Sequence, residues 1–291
     1  MNAPSTDKAE EILARCLTDP LFLSALIVDR AATIRGIGLD VGTRAKFAKL
    51  DLARVRKFSG FIGKVQHNFL WDHFPATRQL LNFYEIEIEV FAEYRSIQLS
   101  GALKAQSQPV KIRRFLNFLF EYIMIHPEYS AVRTVARYEE TVWEHHQLMH
   151  SADVPILPRG LGKLKETSWS HMLRLVPMHY GPMRIEAFDC NPATLVASVL
   201  DGTFSGYVPR AKLLIAFRSD PASGLIRTFE IDELTALLLS CIDGRRAIRS
   251  VIATARKRVL ATLPPRTFRT FFEDATASGI IGFAEEFQSC G

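Results

Sequence analysis

Histidine and carboxylate side chains gather most densely at residues 139–150, where Glu139, Glu140 and Glu144 precede or flank His145, His146 and His150. His146 and His150 are four residues apart, so a helix would set both imidazoles on one face, an arrangement that a divalent metal can use. The run, however, ends a helical pattern just before a Pro/Gly-rich stretch. Histidines there are solvated and interact favourably with the negative end of the helix, so no metal and no cofactor are expected. His67 and His73 bracket Phe69, Leu70 and Trp71. They read either as contacts to a partner's active site or, the favoured reading, as polar ends of an apolar helix. Glu85, Glu87 and Glu89 alternate around a helix rather than converge. Asp189, Cys190 and Asp201 lie near a strand–helix unit with no base or oxyanion partner beside them. No nucleophile elbow, Walker loop or dinucleotide fingerprint occurs. The residues thus predict a binding protein with no catalytic group of its own.

The four cysteines, Cys16, Cys190, Cys241 and Cys290, form no C-x-x-C pair and have no metal-finger spacing. Cys16 and Cys241 fall in apolar helical patterns and read as small buried residues. Residues 1–11 lack a basic segment followed by an apolar run, so reduced thiols and a cytoplasmic location are expected. The longest apolar stretches fall short of the ~18–20 residues that a membrane span requires, so no membrane partner is expected.

The elements that must position these residues change character along the chain. With 291 residues, 48% of them hydrophobic, two cores of ordinary size are expected, with disorder confined to residues 1–6. Apolar spacing predicts helices over 7–33, broken at Asp19-Pro20, and over 50–58, 61–74, 76–95, 112–125 and 129–143. No strand signal interrupts them, which predicts an all-α bundle over 1–150. Residues 151–168, with Pro155, Pro158, Gly160 and Gly162, read as a linker. Residues 169–291 then read as an α+β domain with a small antiparallel sheet. Its expected strands are 172–176, 183–188, 212–217 and 225–231, the last two joined by a turn over 220–224. Its expected helices are 193–200, capped by Asn191, then 233–242, 247–260 and 267–277, before an apolar close at 279–283.

The formal charge is +5, from 36 basic and 31 acidic residues, and it is unevenly spread. Between Asp243 and Glu273 there is no acidic residue, while Arg245, Arg246, Arg249, Arg256, Lys257, Arg258, Arg266 and Arg269 fall there. A local positive surface favours an acidic partner. Duplex DNA is one such partner, but the net charge is small and Phe268, Phe271 and Phe272 make the last helix too aromatic for a polar DNA reader. Nucleic acid is therefore the alternative and a peptide the leading expectation.

Two stretches carry a resemblance. The strand running into EIDELTALLLSCIDGRRAIRSVIA, followed by RTFRTFFEDATASGIIGF, resembles the small winged-helix-like domain that recognises leader peptides of ribosomally made, modified peptides; it covers about residues 205–285. The run from ILARCLTDPLFLSALIVDR through RRFLNFLFEYIMIHPEYSAVRTVARYEE is similar to the helical domain of partner subunits of multinuclear non-haem iron oxidases. Matching residues include Leu17, Asp19, Pro20, Leu52, Phe58, Phe74, Pro75, Phe115, His126, Pro127 and Glu139. In length and layout the chain looks most like the partner subunits of the thiaglutamate pathway. The resemblance implies a non-catalytic accessory subunit that forms a heterodimer with an iron oxidase and binds a precursor peptide, presenting its cysteine-bearing end.

Peptide capture by strand addition requires a free sheet edge and pockets for alternate side chains. The strand over 225–231 beside the helix over 267–277 is the expected place, with Leu225, Ile226, Arg227, Thr228, Phe229, Phe268, Arg269 and Phe272 as peptide-binding residues. The aromatic density over 61–74 is expected to dock the partner through Phe61, Phe69, Trp71 and His73.

Overall fold

The computed structural model describes residues 5–35, 37–97, 106–150, 167–220, 223–258 and 263–283. The chain divides into two compact units, one of Met1–Ala136 with Val196–Phe204 and one of Arg137–Leu195 with Ser205–Gly291. Most of the expected linker over 151–168 lies outside the described residues.

The first unit is helical: α1 (Ser5–Thr18), α2 (Pro20–Val28), α3 (Arg30–Arg35), α4 (Val41–Ala48), α5 (Leu52–Gln66), α6 (Pro75–Phe83), α7 (Glu87–Ile97) and α8 (Gln108–Ile125). Aspartates start four of them: Asp19, Asp29, Asp40 and Asp51 accept from the backbone N–H groups of Phe22, Ala32, Thr43 and Arg54, which satisfies donors the helices leave open. Two long helices expected from the apolar spacing are each broken. The stretch over 61–74 leaves α5 at Gln66 and tightens into a 3-10 turn at Asn68–Asp72. The stretch over 76–95 stops at Glu85, whose φ of 58° is left-handed. Around it Glu85 N–H bonds Asn82 O and Ile86 N–H bonds Leu81 O, the paired closure that ends a helix in a Schellman turn.

α5 packs closely along α7 because it carries Gly60 and Gly63. A Cβ at Gly60 would sit 2.3 Å from Ile88 O, and one at Gly63 would sit 2.7 Å from Arg95 Cδ. Beneath this contact Trp71, Phe91, Tyr94 and Phe115 form a buried aromatic cluster with ring centroids 5.2–6.0 Å apart. A second core joins Ile12, Cys16, Phe22, Leu23, Leu26 and Phe47.

The boundary between the units falls within α9 (Ser130–His150). The second unit holds α10 (Trp169–Met172), β1 (Pro177–His179), β2 (Met183–Phe188), β3 (Leu213–Ser219), β4 (Ile226–Ile231), α12 (Glu233–Ser240), α13 (Ile248–Arg258), α14 (Pro265–Ala277) and β5 (Ile281–Phe283); α11 (Pro192–Leu200) starts in it. The fold is therefore α+β with small antiparallel sheets, one in the order β2-β3-β4 and one pairing β1 with β5. The strand expected over 172–176 is instead the end of α10 and a turn. Ser168 caps that helix by accepting from His171 N–H, and the strand begins only at Pro177.

Each face of the three-stranded sheet has its own core. On one, Phe188, Ile215 and Phe217 meet Tyr138 and Val142 of α9. Ion pairs lace that helix to β2: Arg137 to Glu186, and Arg184 to Glu144. His145 is buried at the end of this row, its Nδ1 2.8 Å from Ser219 Oγ. On the other face, Met183, Ile185, Phe229 and Ile231 pack against the core of Met172, Leu238, Leu239, Ile248, Val251, Phe268 and Phe272.

Candidate functional site

Among the described residues β4 is an edge strand, paired with β3 alone. Its register fixes which backbone groups are free. Asp220 N–H donates to Leu225 O at 2.8 Å, and on the opposite side Ser219 N–H donates to Pro182 O. Hydrogen-bonded and non-hydrogen-bonded pairs alternate in an antiparallel ladder. Arg227, Phe229 and Ile231, opposite Arg218, Ala216 and Leu214, therefore turn their amide groups inward to β3. Ile226, Thr228 and Glu230 turn theirs outward to the open edge. The other edge is β2, whose Arg184 and Glu186 are held in ion pairs with α9.

Side chains on β4 divide by the same alternation. Phe229 and Ile231 lie against the α12–α14 core, and Ile226 against the Phe188–Ile215–Phe217 cluster. Thr228, Arg227 and Glu230 are exposed, and Leu225 is 61% exposed just before the strand. Phe268 and Phe272 are 1% and 0% exposed. They share a core with Phe229 and so do not line an open groove, which corrects the role given them from sequence. Arg269 pairs with Glu273 at 2.8 Å. Other members of the basic stretch are also engaged: Arg246 holds Asp243, Thr254 and Cys241 O, and Arg256 lies 5.1 Å from the Phe268 ring centroid. Asp243 accepts from the N–H groups of Arg245 and Arg246, which brings its carboxyl down to about 2.

At the Ile231 end of the strand a cavity of about 800 Å³ opens. Phe188, Leu214 and Ile231 contribute apolar walls, and Asp189, Glu230 and Lys212 contribute charge. Sequence reasoning missed it, since it gathers residues from three strands and a helix start that no spacing relates. The signal available was Asp232, which caps α12 by accepting from Thr235 N–H at 2.6 Å and fixes where strand becomes helix.

The docking residues expected in the helical unit fall in different places. Trp71 is buried at 5% exposure and belongs to the aromatic core, which corrects its assignment to a surface. Phe69 is half-buried, 6.1 Å from the His67 ring. His73 is exposed beside Phe74. Phe61 is 48% exposed and stacks on Phe58, itself 52% exposed, at 6.3 Å, with Val65 exposed one turn further along α5. Phe58 and Val65 were not singled out as docking residues from sequence, although their i, i+3 and i+7 spacing with Phe61 was visible.

Burial pushes the imidazoles of His67, His145 and His179 below the ordinary histidine value. Among the described residues no group of three or more His, Cys, Asp or Glu could hold a metal ion; the side chain of His150 lies outside them. Cys16, Cys190 and Cys241 are buried. No described helix is long and apolar enough to cross a membrane. In comparisons with known proteins, the chain matches no family model and no curated sequence.

Proposed function

We propose that the chain is a non-catalytic accessory subunit that binds a ribosomally made precursor peptide as an added strand on β4 and presents it to a partner iron-dependent oxidase. The observation that carries the reading is the open edge: three successive outward sets of amide groups, at Ile226, Thr228 and Glu230, with side chains on either face. Main-chain bonds at such an edge give affinity, and the alternating pockets give selectivity. The element order β3, β4, α12, α13, α14, β5 supports the likeness to the winged-helix-like leader-recognition domain. The identity of the peptide-modifying system comes from the resemblance of the sequence alone.

The exposed Phe58–Phe61–Val65 stripe supports docking by the helical unit, because buried aromatic anchors carry much of an interface's affinity, at about 2 kcal/mol or more each. The alternative reading, a DNA-binding regulator, draws on the basic end of α13 at Arg256, Lys257 and Arg258. Against it, α14 carries Glu273 and Asp274 as well as Arg266 and Arg269, and Arg269 is paired with Glu273.

The test is titration of a candidate cysteine-bearing precursor peptide against the wild-type chain and Thr228→Pro. Proline removes an outward donor while leaving the β3 ladder intact, so binding should fall at least tenfold with the fold retained. Unchanged affinity in a folded variant would place the peptide elsewhere. Phe61→Asp should abolish a heterodimer with the iron oxidase in size exclusion. Retention on duplex DNA at physiological salt, without peptide binding, would favour the alternative.

A further inference from the structure

Arg218 and Arg227 stand directly opposite each other across β3 and β4. Their side chains therefore share one face, where like charges repel. Arg218 is only 3% exposed. One of its terminal nitrogens donates to Gly279 O, its guanidinium lies 5.4 Å from the Tyr180 ring centroid, and its Nε has no hydrogen-bond acceptor among the described residues. Asp220 is the carboxylate whose field reaches it, yet Arg218 makes no ion pair among the described residues. Arg227 is exposed on the free edge and likewise makes no ion pair among them. Burial lowers the pKa of Arg218, and the charge of Arg227 adds to that effect. An under-compensated buried cation is costly unless an anion completes it.

We propose that this end of β4 is a carboxylate-binding site, in which Arg227 clamps an acidic group and Arg218 supplies a fixed positive field behind it. The natural ligand, an acidic side chain of an added strand, rests on the strand-addition reading; the carboxylate chemistry does not. Arg227 turns its amides inward, so a residue added opposite it in an antiparallel strand forms a non-hydrogen-bonded pair with Cα atoms about 4.5 Å apart. That brings an Asp or Glu side chain on the same face within reach of the guanidinium. The next position on that face meets Phe229. The bound segment therefore carries an acidic residue two places from an apolar one, and Arg227 sets its register.

The experiment uses the full chain labelled with ¹⁵N-arginine. Acetate is titrated against chloride at equal ionic strength while the arginine Nε–Hε signals are followed, assigned by their loss or shift in Arg227→Gln and Arg218→Lys. The expected result is a saturable shift of the Arg227 and Arg218 signals with acetate only. Absence of that shift in the folded wild type overturns the site, whatever peptides do. In a second arm, the blocked peptide acetyl-Val-Thr-Asp-Thr-Val-Thr-amide is compared with its Asn counterpart by fluorescence anisotropy. The Asp form should bind roughly tenfold tighter, as one charge-assisted hydrogen bond allows, and the preference should vanish in Arg227→Gln. Equal binding of both peptides to the wild type overturns the acidic register while leaving strand addition standing. Acetate saturation with no binding of either peptide upholds the carboxylate site and removes strand addition. Arg218→Lys adds to the assignment where it folds; Arg227→Gln, at an exposed position, decides both arms without it.

Discussion

Arg95 brings a charge into the helical unit with no carboxylate paired to it among the described residues. It is 7% exposed and donates to Leu17 O, Ser59 O and Ser59 Oγ at 2.8, 2.8 and 3.2 Å. Burial lowers its pKa, and the acceptors that hold its charge are a hydroxyl and two carbonyls, one carbonyl at the C-terminal end of α1, where partial negative charge collects. One side chain thus ties α1 and α5 to α7. Its path is open only because residue 63 is glycine, since a Cβ there would meet Arg95 Cδ and Cγ at 2.7 and 3.0 Å. Arg95→Met keeps the aliphatic volume but strands three acceptors, and should cost about 3 kcal/mol, measured as a lower urea midpoint with an unchanged m-value. A loss below about 0.5 kcal/mol would mean that water satisfies those carbonyls equally well. None of this was legible in the sequence, where Arg95 reads as the polar end of an amphipathic helix. A long-range bond to Leu17 O leaves no local pattern.

At the scale of elements, legibility followed the locality of the cause. The turn over 220–224 was readable because Gly224 supplies the left-handed φ of 70° that it needs. The end of α14 was readable for the same reason: Gly279, φ 65°, lets Ile280 N–H close back to Ala275 O. The equivalent closure after α6 was not readable, because Glu85 takes the left-handed position at φ 58° and glutamate advertises helix, not its end. What holds it there is tertiary: Ile86 and Leu81 are both buried, and the next helix starts with Glu87, 3% exposed and salt-bridged to Lys64 and Arg78. Glu85→Gly should therefore stabilise the helical unit by about 0.5–1 kcal/mol, through relief of the left-handed strain. Thermal unfolding checks it, and a lower melting temperature would show that the Glu85 side chain makes a contact worth more than the strain. The candidate edge strand was legible through its alternation, and the amides of Ile226, Thr228 and Glu230 point outward. The pairing with Phe268 and Phe272 was misread because aromatic spacing on α14 tells which face is apolar, not whether that face is covered.

On the scale of the whole molecule, the two units share an acid-sensitive feature that acts in each separately. His67 in the helical unit, and His145 and His179 in the α+β unit, all have imidazole pKa values below the ordinary 6.5, with burial as the largest cause. Among the described residues His145 Nε2 and His179 Nδ1 have no hydrogen-bond partner, so protonating either would place a charge where none of these residues offers an acceptor for the new donor. In the unfolded chain the same groups titrate near 6.5. Between the lowered folded values and about 6.5 the unfolded chain therefore binds more protons than the folded one, and stability rises with pH. The histidine contribution is complete above about 6.5 and is lost as pH falls below it. Glu140 works in the opposite sense, since burial raises its carboxyl and protonation relieves it. Asp40 and Asp243, with lowered values, add a further loss only nearer pH 4, outside the histidine window. The α+β unit carries two of the three histidines, so it should loosen first on acidification from about pH 7 to pH 5. Hydrogen exchange followed by mass spectrometry tests this: amides of β3 and α12 should lose protection over that range before those of α5 and α7. His145→Gln with His179→Gln should flatten the response of the α+β unit and leave the helical unit unchanged. Protection that is independent of pH in the wild type, or a loss that survives in the double variant, would show that other groups set the acid limit.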